Sequence, residues 1–311
     1  MFIISPDLNV GAEDTRERPL NRNPARGSGD CYRLVVHTSV GEFCESVLSQ
    51  GELSSKLGAP AAHLEDRIER PVTGWLTPTR TPELAPRSGG ERLPRPGLLS
   101  SATARAECLA RFAHHELAAV ELFAWAILRW PELPAELRQG WLATLAEEQI
   151  HCGLYLERLT AHGASLADFQ LSDYFWKLGP AIDAAEDGPK AFLAAMGLTL
   201  EQANLDFTLT YRDAFREAGD EASACVCERV HQDEVRHVSL ANHWLRKLSP
   251  PGTTDLDAYQ AHVPFPLGPA RAKGRRCDRA ARRAAGLSDA LIERVRGARS
   301  HQEKGHPDAQ G

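Results

Sequence analysis

Two short motifs contain the residues of this sequence whose types and spacing could bind a metal ion. Each is a Glu-x-x-His motif, one formed by Glu148 and His151 and the other by Glu234 and His237. Residues three apart lie on the same face of a helix, so each motif can direct one carboxylate and one imidazole at the same ion. A single motif of this kind occurs by chance in many helices, whereas two at matching positions are much less expected.

Two further glutamates, Glu116 and Glu201, complete the set of ligands that a two-metal site in a helical bundle requires. Each precedes one Glu-x-x-His motif by nearly the same number of residues, so the chain reads as a duplicated helical hairpin. Four carboxylates and two neutral imidazoles suit two divalent first-row ions. We expect two iron ions, and two manganese ions or a mixed Mn/Fe pair would fit the same ligands. The predicted metal ligands are Glu116, Glu148, His151, Glu201, Glu234 and His237.

The surroundings of these residues decide between a metal site and an ordinary solvated helix surface. Glu116 shares a helix face with Phe112 and Phe123, and both Glu-x-x-His motifs also fall on apolar stripes. A carboxylate on an apolar face needs a partner or a metal ion to offset the cost of its burial. This pattern favours the metal site over the solvated surface.

Several polar residues near the motifs could orient the metal ligands through hydrogen bonds. The ordinary alternative for each of them is capping, core packing or contact with solvent. Glu121 and Glu147 are further carboxylates, but they fall off the inferred inward face. The candidates for an orienting role are His115, Asp206, Tyr211 and His231.

Four long segments must position these residues, and their richness in Ala, Leu, Glu and Arg predicts helices. Each segment ends at a Gly or Pro signal. Short links join the first segment to the second and the third to the fourth, which predicts two antiparallel hairpins joined by a long crossover. The fold class is therefore all-α, and the topology predicts a ferritin-like four-helix bundle. The predicted helices cover residues 102–130, 134–162, 189–218 and 220–248.

The composition divides the chain into three parts. Residues 1–99 form an N-terminal arm that is Pro-rich, irregular and expected to be partly disordered. Residues 100–249 form the predicted bundle. Residues 250–311 form a basic C-terminal extension and a tail that is expected to be disordered.

Within the arm, residues 31–70 are expected to contain a strand-like or irregular piece and one or two short helices. In the extension, residues 250–268 are expected to form a loop, and residues 275–298 one or two short helices with a break and a cap around Gly286 and Ser288. The aromatic segment at residues 173–176 lies in the crossover, where it could roof a substrate pocket or simply pack.

Charge and cysteine content limit the possible partners and location. The net charge is −6, yet residues 269–300 contain ten Arg or Lys and three Asp or Glu. This basic run could bind nucleic acid, but it lacks interleaved aromatic residues, so a solvated face or pairing with an acidic body is favoured. The seven cysteines show no repeated zinc-site spacing and are interpreted as reduced thiols. No signal peptide or membrane-length apolar stretch is visible, so we expect a cytoplasmic protein without a membrane partner.

The motifs are similar to those of the bacterial DUF455 family of ferritin-like proteins. The resemblance rests on RFAHHELAAVELFAWAIL, AEEQIHCGLYLERL, GLTLEQANLDF and HQDEVRHVSLANHW, and it continues into PFPLGPARAKG and AGLSDALIERV. It covers about residues 93–297. It implies a ferritin-like di-metal fold in which all six predicted ligands are present.

Three functions fit these observations. The first is an O2-dependent di-iron oxidoreductase that acts on an unidentified small molecule, with an external electron donor possible. In that case Glu148 and Glu234 bridge the two ions, and Glu116 and Glu201 bind at the outer positions. The second is iron handling or peroxide scavenging without an organic substrate. The third is a non-enzymatic helical interaction module.

Overall fold

The structure is a computed structural model that describes residues 37–86 and 92–299. These residues form helices joined by turns and irregular segments, and no β-strand occurs among them, which confirms the all-α class. Three short 3-10 helices lie at Pro96–Leu98, Leu166–Asp168 and Trp176–Leu178. The other helices are α1 (Val40–Ser49), α2 (Leu53–Lys56), α3 (Ala102–Arg129), α4 (Ala135–Ala161), α5 (Gly179–Asp183), α6 (Gly188–Phe192), a π-helix (Leu193–Glu201), α7 (Gln202–Glu217), α8 (Glu221–Lys247), α9 (Asp255–His262), α10 (Arg279–Ala284) and α11 (Asp289–Gly297).

Helices α3 and α4 form one long hairpin, and α7 and α8 form a second. In the second hairpin Gly219 adopts a φ of 78°, a left-handed conformation that glycine reaches without strain. Asp220 then caps α8 by accepting a hydrogen bond from the backbone amide of Ser223. The predicted ends of all four helices are confirmed to within one residue, with α6, the π-helix and α7 together forming the third.

The core consists of two clusters of buried apolar side chains, one around Trp125 and one around Tyr155. In α3, α4 and α8, one end of each helix contributes side chains to the first cluster and the other end contributes to the second. The residues predicted to bind metal lie between the two clusters. Two apolar layers therefore enclose a polar layer, and they limit the access of water to it from either end of the helices.

The third long helix departs from regular α-helical geometry just before one predicted ligand. Residues Leu193–Glu201 are π-helical, although the composition predicts an ordinary helix here, and Glu201 is the last residue of this segment. A π-helical segment changes the direction of the side chains that follow it and often marks a functional site. Gly197, in the middle of the segment, lies where a Cβ atom would come within 2.1 Å of the Cβ of Ala241 on α8. The absence of a side chain at Gly197 therefore allows the two helices to approach closely.

Replacing Gly197 with alanine should destabilise the protein by about 1–3 kcal/mol, because the added methyl group must separate two packed helices. Gly153 on α4 is the matched control, since a Cβ there meets no atom within 4 Å. Alanine at Gly153 should raise stability by roughly 0.5–1 kcal/mol through its better helix propensity. Urea unfolding followed by circular dichroism checks both variants, and equal effects at the two positions would contradict the close approach.

The N-terminal arm packs along the first hairpin. Helices α1 and α2 confirm the expected short helices, and Phe43 of α1 enters the same core cluster as Trp125. Further along the arm, Trp75 packs edge-on against Trp125 with ring centroids 4.8 Å apart. The expected disorder at the start of the arm falls on residues 1–36, which lie outside the described residues, and the division into three parts stays a prediction.

The C-terminal extension contains one helix more than expected. Residues 250–268 were predicted as a loop, but α9 begins at a cap in which Thr254 accepts a hydrogen bond from the amide of Asp257. The predicted break between α10 and α11 is confirmed, because Gly286 has a φ of 78° and Ser288 caps α11. Several arginines of this basic segment pair with acidic groups, among them Arg276 with Asp213 on α7.

Two further findings concern the length and apolar character of the helices and the state of the cysteines. Among the described helices, none combines the length and the apolar character needed to span a membrane. The cysteines of the described residues carry free thiols, and Cys44, Cys108, Cys152 and Cys227 are buried. Cys31 lies outside the described residues.

Candidate metal centre

The structure brings all six predicted metal ligands together in the polar layer. Glu116 comes from α3, Glu201 from the end of the π-helix, and one Glu-x-x-His motif each from α4 and α8. All six residues are buried, and Glu148, His151 and Glu234 have no solvent exposure. Four carboxylates that are ionised in water are thus gathered with two imidazoles in the interior, where their charge needs compensation.

The ligand atoms form two overlapping groups, each of which could hold a metal ion. Within a group, the ligand atoms all lie within 4.8 Å of one another. Glu148 and Glu234 belong to both groups, as the expected bridging positions require. One group is completed by Glu116 and His151, and the other by Glu201 and His237.

Several atoms of this cluster lack hydrogen-bond partners among the described residues. They are the Oε1 atom of Glu148, the Oε2 atom of Glu234 and the Nδ1 atom of His237. Nδ1 of His237 lies 2.9 Å from Oε1 of Glu148 and 3.4 Å from Oε2 of Glu234, so the three atoms face one another. Buried polar atoms are normally satisfied, and a metal ion would satisfy all three. The donor set therefore fits a metal ion.

The far side of each histidine ring binds a carboxylate from the opposite hairpin. Nε2 of His151 on α4 lies 3.1 Å from Asp233 on α8, and Nε2 of His237 on α8 lies 2.7 Å from Glu147 on α4. A carboxylate at this position fixes the tautomer and orientation of an imidazole whose other nitrogen faces a metal. Asn204 also donates a hydrogen bond to Oε1 of Glu234 at 2.9 Å.

Neither of these orienting carboxylates was among the predicted candidates, although the sequence contains a signal for both. An acidic residue directly precedes the glutamate of each motif, so both motifs read acid-Glu-x-x-His: Glu147 before Glu148, and Asp233 before Glu234. Glu147 does fall off the inward face of its own helix, as expected. It nevertheless reaches the histidine of the facing helix, because the two helices pack against each other.

Asp206 and Tyr211 use their hydrogen bonds elsewhere. Asp206 forms a buried ion pair with Arg282 of the C-terminal extension. The hydroxyl of Tyr211 donates to the carbonyl of Pro94 at 2.8 Å. This corrects the expectation that either side chain orients a ligand histidine, since α7 directs both of them toward segments outside the two hairpins.

The two remaining candidates also lie apart from the ligand histidines. The His115 ring packs 5.0 Å from the Phe175 ring, and burial lowers its pKa to about 4. Nδ1 of His231 lies 3.2 Å from the hydroxyl of Thr208. Within the described part of the chain, no hydrogen bond joins either histidine to a predicted ligand, so an orienting role for them stays a prediction.

Burial and mutual contact shift the protonation of the cluster. Burial alone would lower the pKa of His151, but the charge of Glu148 and hydrogen bonds to neighbouring carboxylates raise it to about 9. At His237, burial also acts to lower the pKa, but the charge of Glu148 and hydrogen bonds to neighbouring carboxylates raise it well above its ordinary value. Burial and the other carboxylates raise the pKa values of Glu116 and Glu201 strongly. Protons and metal ions are thus alternative ways to balance the charge of this site.

A cavity of about 470 Å³ leads to one side of the cluster. Glu116 and Glu201 line its inner end. Tyr174 and Phe175 of the crossover form part of its wall, so this segment borders a cavity, and its role over a substrate stays a prediction. A small molecule in the cavity would lie next to two of the six predicted ligands.

Fold and cluster together define an all-helical protein with buried groups of glutamate and histidine that could hold metal ions. Residues 48–293 match the model of the family described as "Protein of unknown function (DUF455)", so the chain belongs to this family, as its motifs predicted. An uncharacterized protein of Haemophilus influenzae is 29% identical over 153 residues, which is 46% of this chain and 51% of that relative. The chain thus matches about half the length of this curated relative. No solved structure matches the chain.

Proposed function

We propose that this protein is a ferritin-like di-iron carboxylate protein and acts as an O2-dependent oxidoreductase on a small organic molecule. The observation that carries the proposal is the pair of overlapping ligand groups that share Glu148 and Glu234 and border a cavity. Two hairpins that each contribute a glutamate and a Glu-x-x-His motif correspond to the di-metal carboxylate bundles.

The donor atoms support iron or manganese rather than softer ions. The two groups offer carboxylate oxygens and imidazole nitrogens and contain no thiolate, and this set suits hard to intermediate first-row ions. Four carboxylates would neutralise two dications. When bound, iron(II) would supply the electrons for reduction of O2.

Six residues of the site have defined tasks in this proposal. Glu148 and Glu234 would bind both ions, and His151 and His237 would each bind one through Nδ1. Asp233 and Glu147 hold the two imidazole rings from behind. The apolar layers on both sides limit the access of water, which favours chemistry on a molecule bound in the cavity.

The cavity favours a reaction on an organic molecule over iron storage or peroxide scavenging. Neither of those activities needs a chamber of about 470 Å³ with aromatic walls next to the metal ligands. A helical interaction module is disfavoured for a different reason. Burial of four glutamates between two helical hairpins gives such a module no advantage and would destabilise it without metal ions.

Metal analysis of the purified protein tests the proposal. After anaerobic addition of iron(II) and removal of free ions, we expect about two ions per chain in the wild type, as the two overlapping ligand groups require. A Glu148→Ala, Glu234→Ala double variant should bind none, while Glu157→Ala, which removes an exposed carboxylate of α4, should bind the wild-type amount. Circular dichroism shows whether each variant is folded. A folded wild-type protein that takes up no iron or manganese would refute the proposal.

Replacing Asp233 with asparagine or Glu147 with glutamine should weaken metal binding by roughly 10–100-fold while leaving the predicted ligands in place. Each amide keeps the size of the original side chain but removes the charge that orients one imidazole. Competition with a chromophoric chelator gives the affinity, and Glu157→Gln serves as the control on an exposed site of α4. Wild-type affinity in both Asp233→Asn and Glu147→Gln would show that the two carboxylates do not support the ligands.

A further inference from the structure

We propose that the cavity beside the cluster binds an anionic small molecule with a flat aromatic body. In this arrangement the ring lies between the aromatic walls near Glu116 and Glu201, and the anionic group lies at the cationic mouth. The inference rests on the proposed function in one respect, because it treats the cavity as the substrate chamber of that site. Binding itself can be measured with or without metal.

Five aromatic side chains line the cavity, and they come from three parts of the chain. Phe112 of α3 is buried, whereas Phe207 of α7 is only partly buried. The rings of Phe112 and Tyr211 are fixed edge-to-face, with centroids 5.1 Å apart. Aromatic walls held in place by such contacts favour a flat ring as ligand, because ring pairs gain energy beyond the apolar area that they bury. The aromatic lining residues are Phe112, Tyr174, Phe175, Phe207 and Tyr211.

The outer part of the lining is cationic. It contains Arg92, which precedes α3, and Arg271 and Lys273 of the C-terminal extension. Arg92 and Arg271 are exposed, and the Arg271 guanidinium lies over the Tyr174 ring, 5.7 Å from its centroid. Lys273 adds a third cation to the lining, and its ammonium also donates a hydrogen bond to the carbonyl of Arg296. Arginine pairs well with carboxylate and phosphate groups through its fork of donors.

The charged residues of the lining differ between the two ends of the cavity. Among the described residues that line it, only Glu116 and Glu201 are acidic, and both lie at the inner end. An anionic group is therefore attracted to the arginines at the mouth, because the acidic inner end offers it no cationic side chain among the described lining residues. The uncharged end of the same molecule is then the part that reaches the ligands of the candidate metal site.

The volume sets the size of this molecule. About 470 Å³ lies within the usual range for small-molecule sites and exceeds what a diatomic gas or a peroxide needs. A fused two-ring compound with one charged substituent fits this volume. A macromolecule could insert only a single side group of comparable size.

Three probes with the same ring but different head groups test the proposal: 2-naphthylacetate, 2-naphthyl phosphate and 2-naphthylmethanol. Isothermal titration calorimetry with the full chain gives each affinity, in the metal-free and the iron-loaded protein. The better of the two anions should bind at least about tenfold more tightly than the alcohol, because the arginines pair only with a charged head group. The preferred anion distinguishes a carboxylate from a phosphate as the natural head group.

Variants of the lining residues test whether the three probes bind in this cavity. An Arg92→Gln, Arg271→Gln double variant should lose the preference for anions but keep the weak binding of the alcohol. Arg246→Gln, which changes an exposed arginine outside the cavity lining, should keep the preference. Ala203→Trp, which fills the cavity from α7, should abolish binding of all three probes. Circular dichroism checks that these variants are folded.

The outcomes separate this inference from the proposed function. Equal affinity for the alcohol and both anions would overturn the inference and leave an apolar cavity. A preference for anions that survives the double arginine variant or the tryptophan variant would also overturn it. A wild-type protein that binds iron but none of the probes would also overturn it, while the proposed function would stand. Selective binding of an anion by a protein that takes up no metal would support this inference and refute the proposed function.

Discussion

Replacing Glu121 with alanine should destabilise the protein by about 3–5 kcal/mol, because it leaves two buried cations without their counter-ion. Lys56 and Arg80 of the N-terminal arm both pair with this carboxylate, at 2.9 Å and 2.5 Å. The side chains of Lys56 and Glu121 are fully buried, and that of Arg80 nearly so. Urea unfolding monitored by circular dichroism measures the loss.

Two cations share the single carboxylate of Glu121, and this excess of positive charge provides a control for the Glu121 prediction. Burial lowers the pKa of Lys56 even though the charge of Glu121 opposes the effect, so burial disfavours the charged form of Lys56. Replacing Lys56 with methionine keeps the pair between Arg80 and Glu121 and should therefore cost less than about 1.5 kcal/mol. If Lys56→Met destabilised the protein as much as Glu121→Ala, packing of the arm rather than charge compensation would be the cause.

The predicted ligands could be found from the sequence because local rules place them. Spacing by three residues sets the face of a helix, and a short Gly or Pro turn returns the chain to the same level. The lengths of the two hairpins then align Glu116 with Glu148 and Glu201 with Glu234. Even the π-helix before Glu201 did not mislead the prediction, since the residue remains on the inward side.

What the sequence could not show depends on contacts between distant segments. Lys56 follows a weakly periodic stretch, and nothing nearby indicates that it is buried against α3. Asp206 lies five residues after the predicted ligand Glu201 and Asp233 lies directly before Glu234, yet only Asp233 faces a ligand histidine. The choice between them depends on how the hairpins pack and on where the C-terminal extension lies. The helix α9 is a different case. Its Thr254 cap and the following Asp257 are local signals of a helix start, but the surrounding prolines favoured a loop prediction.

Replacing Asp206 with alanine should have an effect of the same size, about 3–5 kcal/mol, and should act first on the C-terminal extension. The carboxylate pairs with both terminal nitrogens of Arg282 at 2.9 Å and accepts hydrogen bonds from the amides of Gly274 and Asp278. Neither the Asp206 nor the Arg282 side chain is exposed. Without the carboxylate, the buried guanidinium loses its counter-ion and two amides lose their acceptor. Hydrogen exchange should therefore rise in residues 270–297 before the hairpins unfold.

Asp213 on the same helix makes the matched control for Asp206. It also pairs with an arginine of the extension, Arg276 at 2.7 Å, but both side chains are substantially exposed, and such pairs contribute only about 0–1 kcal/mol. Asp213→Ala should therefore leave hydrogen exchange in the extension nearly unchanged. Because Arg271 and Lys273 lie next to the residues that Asp206 holds, Asp206→Ala should also reduce the preference of the cavity for anions. Intact anion selectivity together with rapid exchange of residues 270–297 would show that the mouth of the cavity is ordered by other contacts.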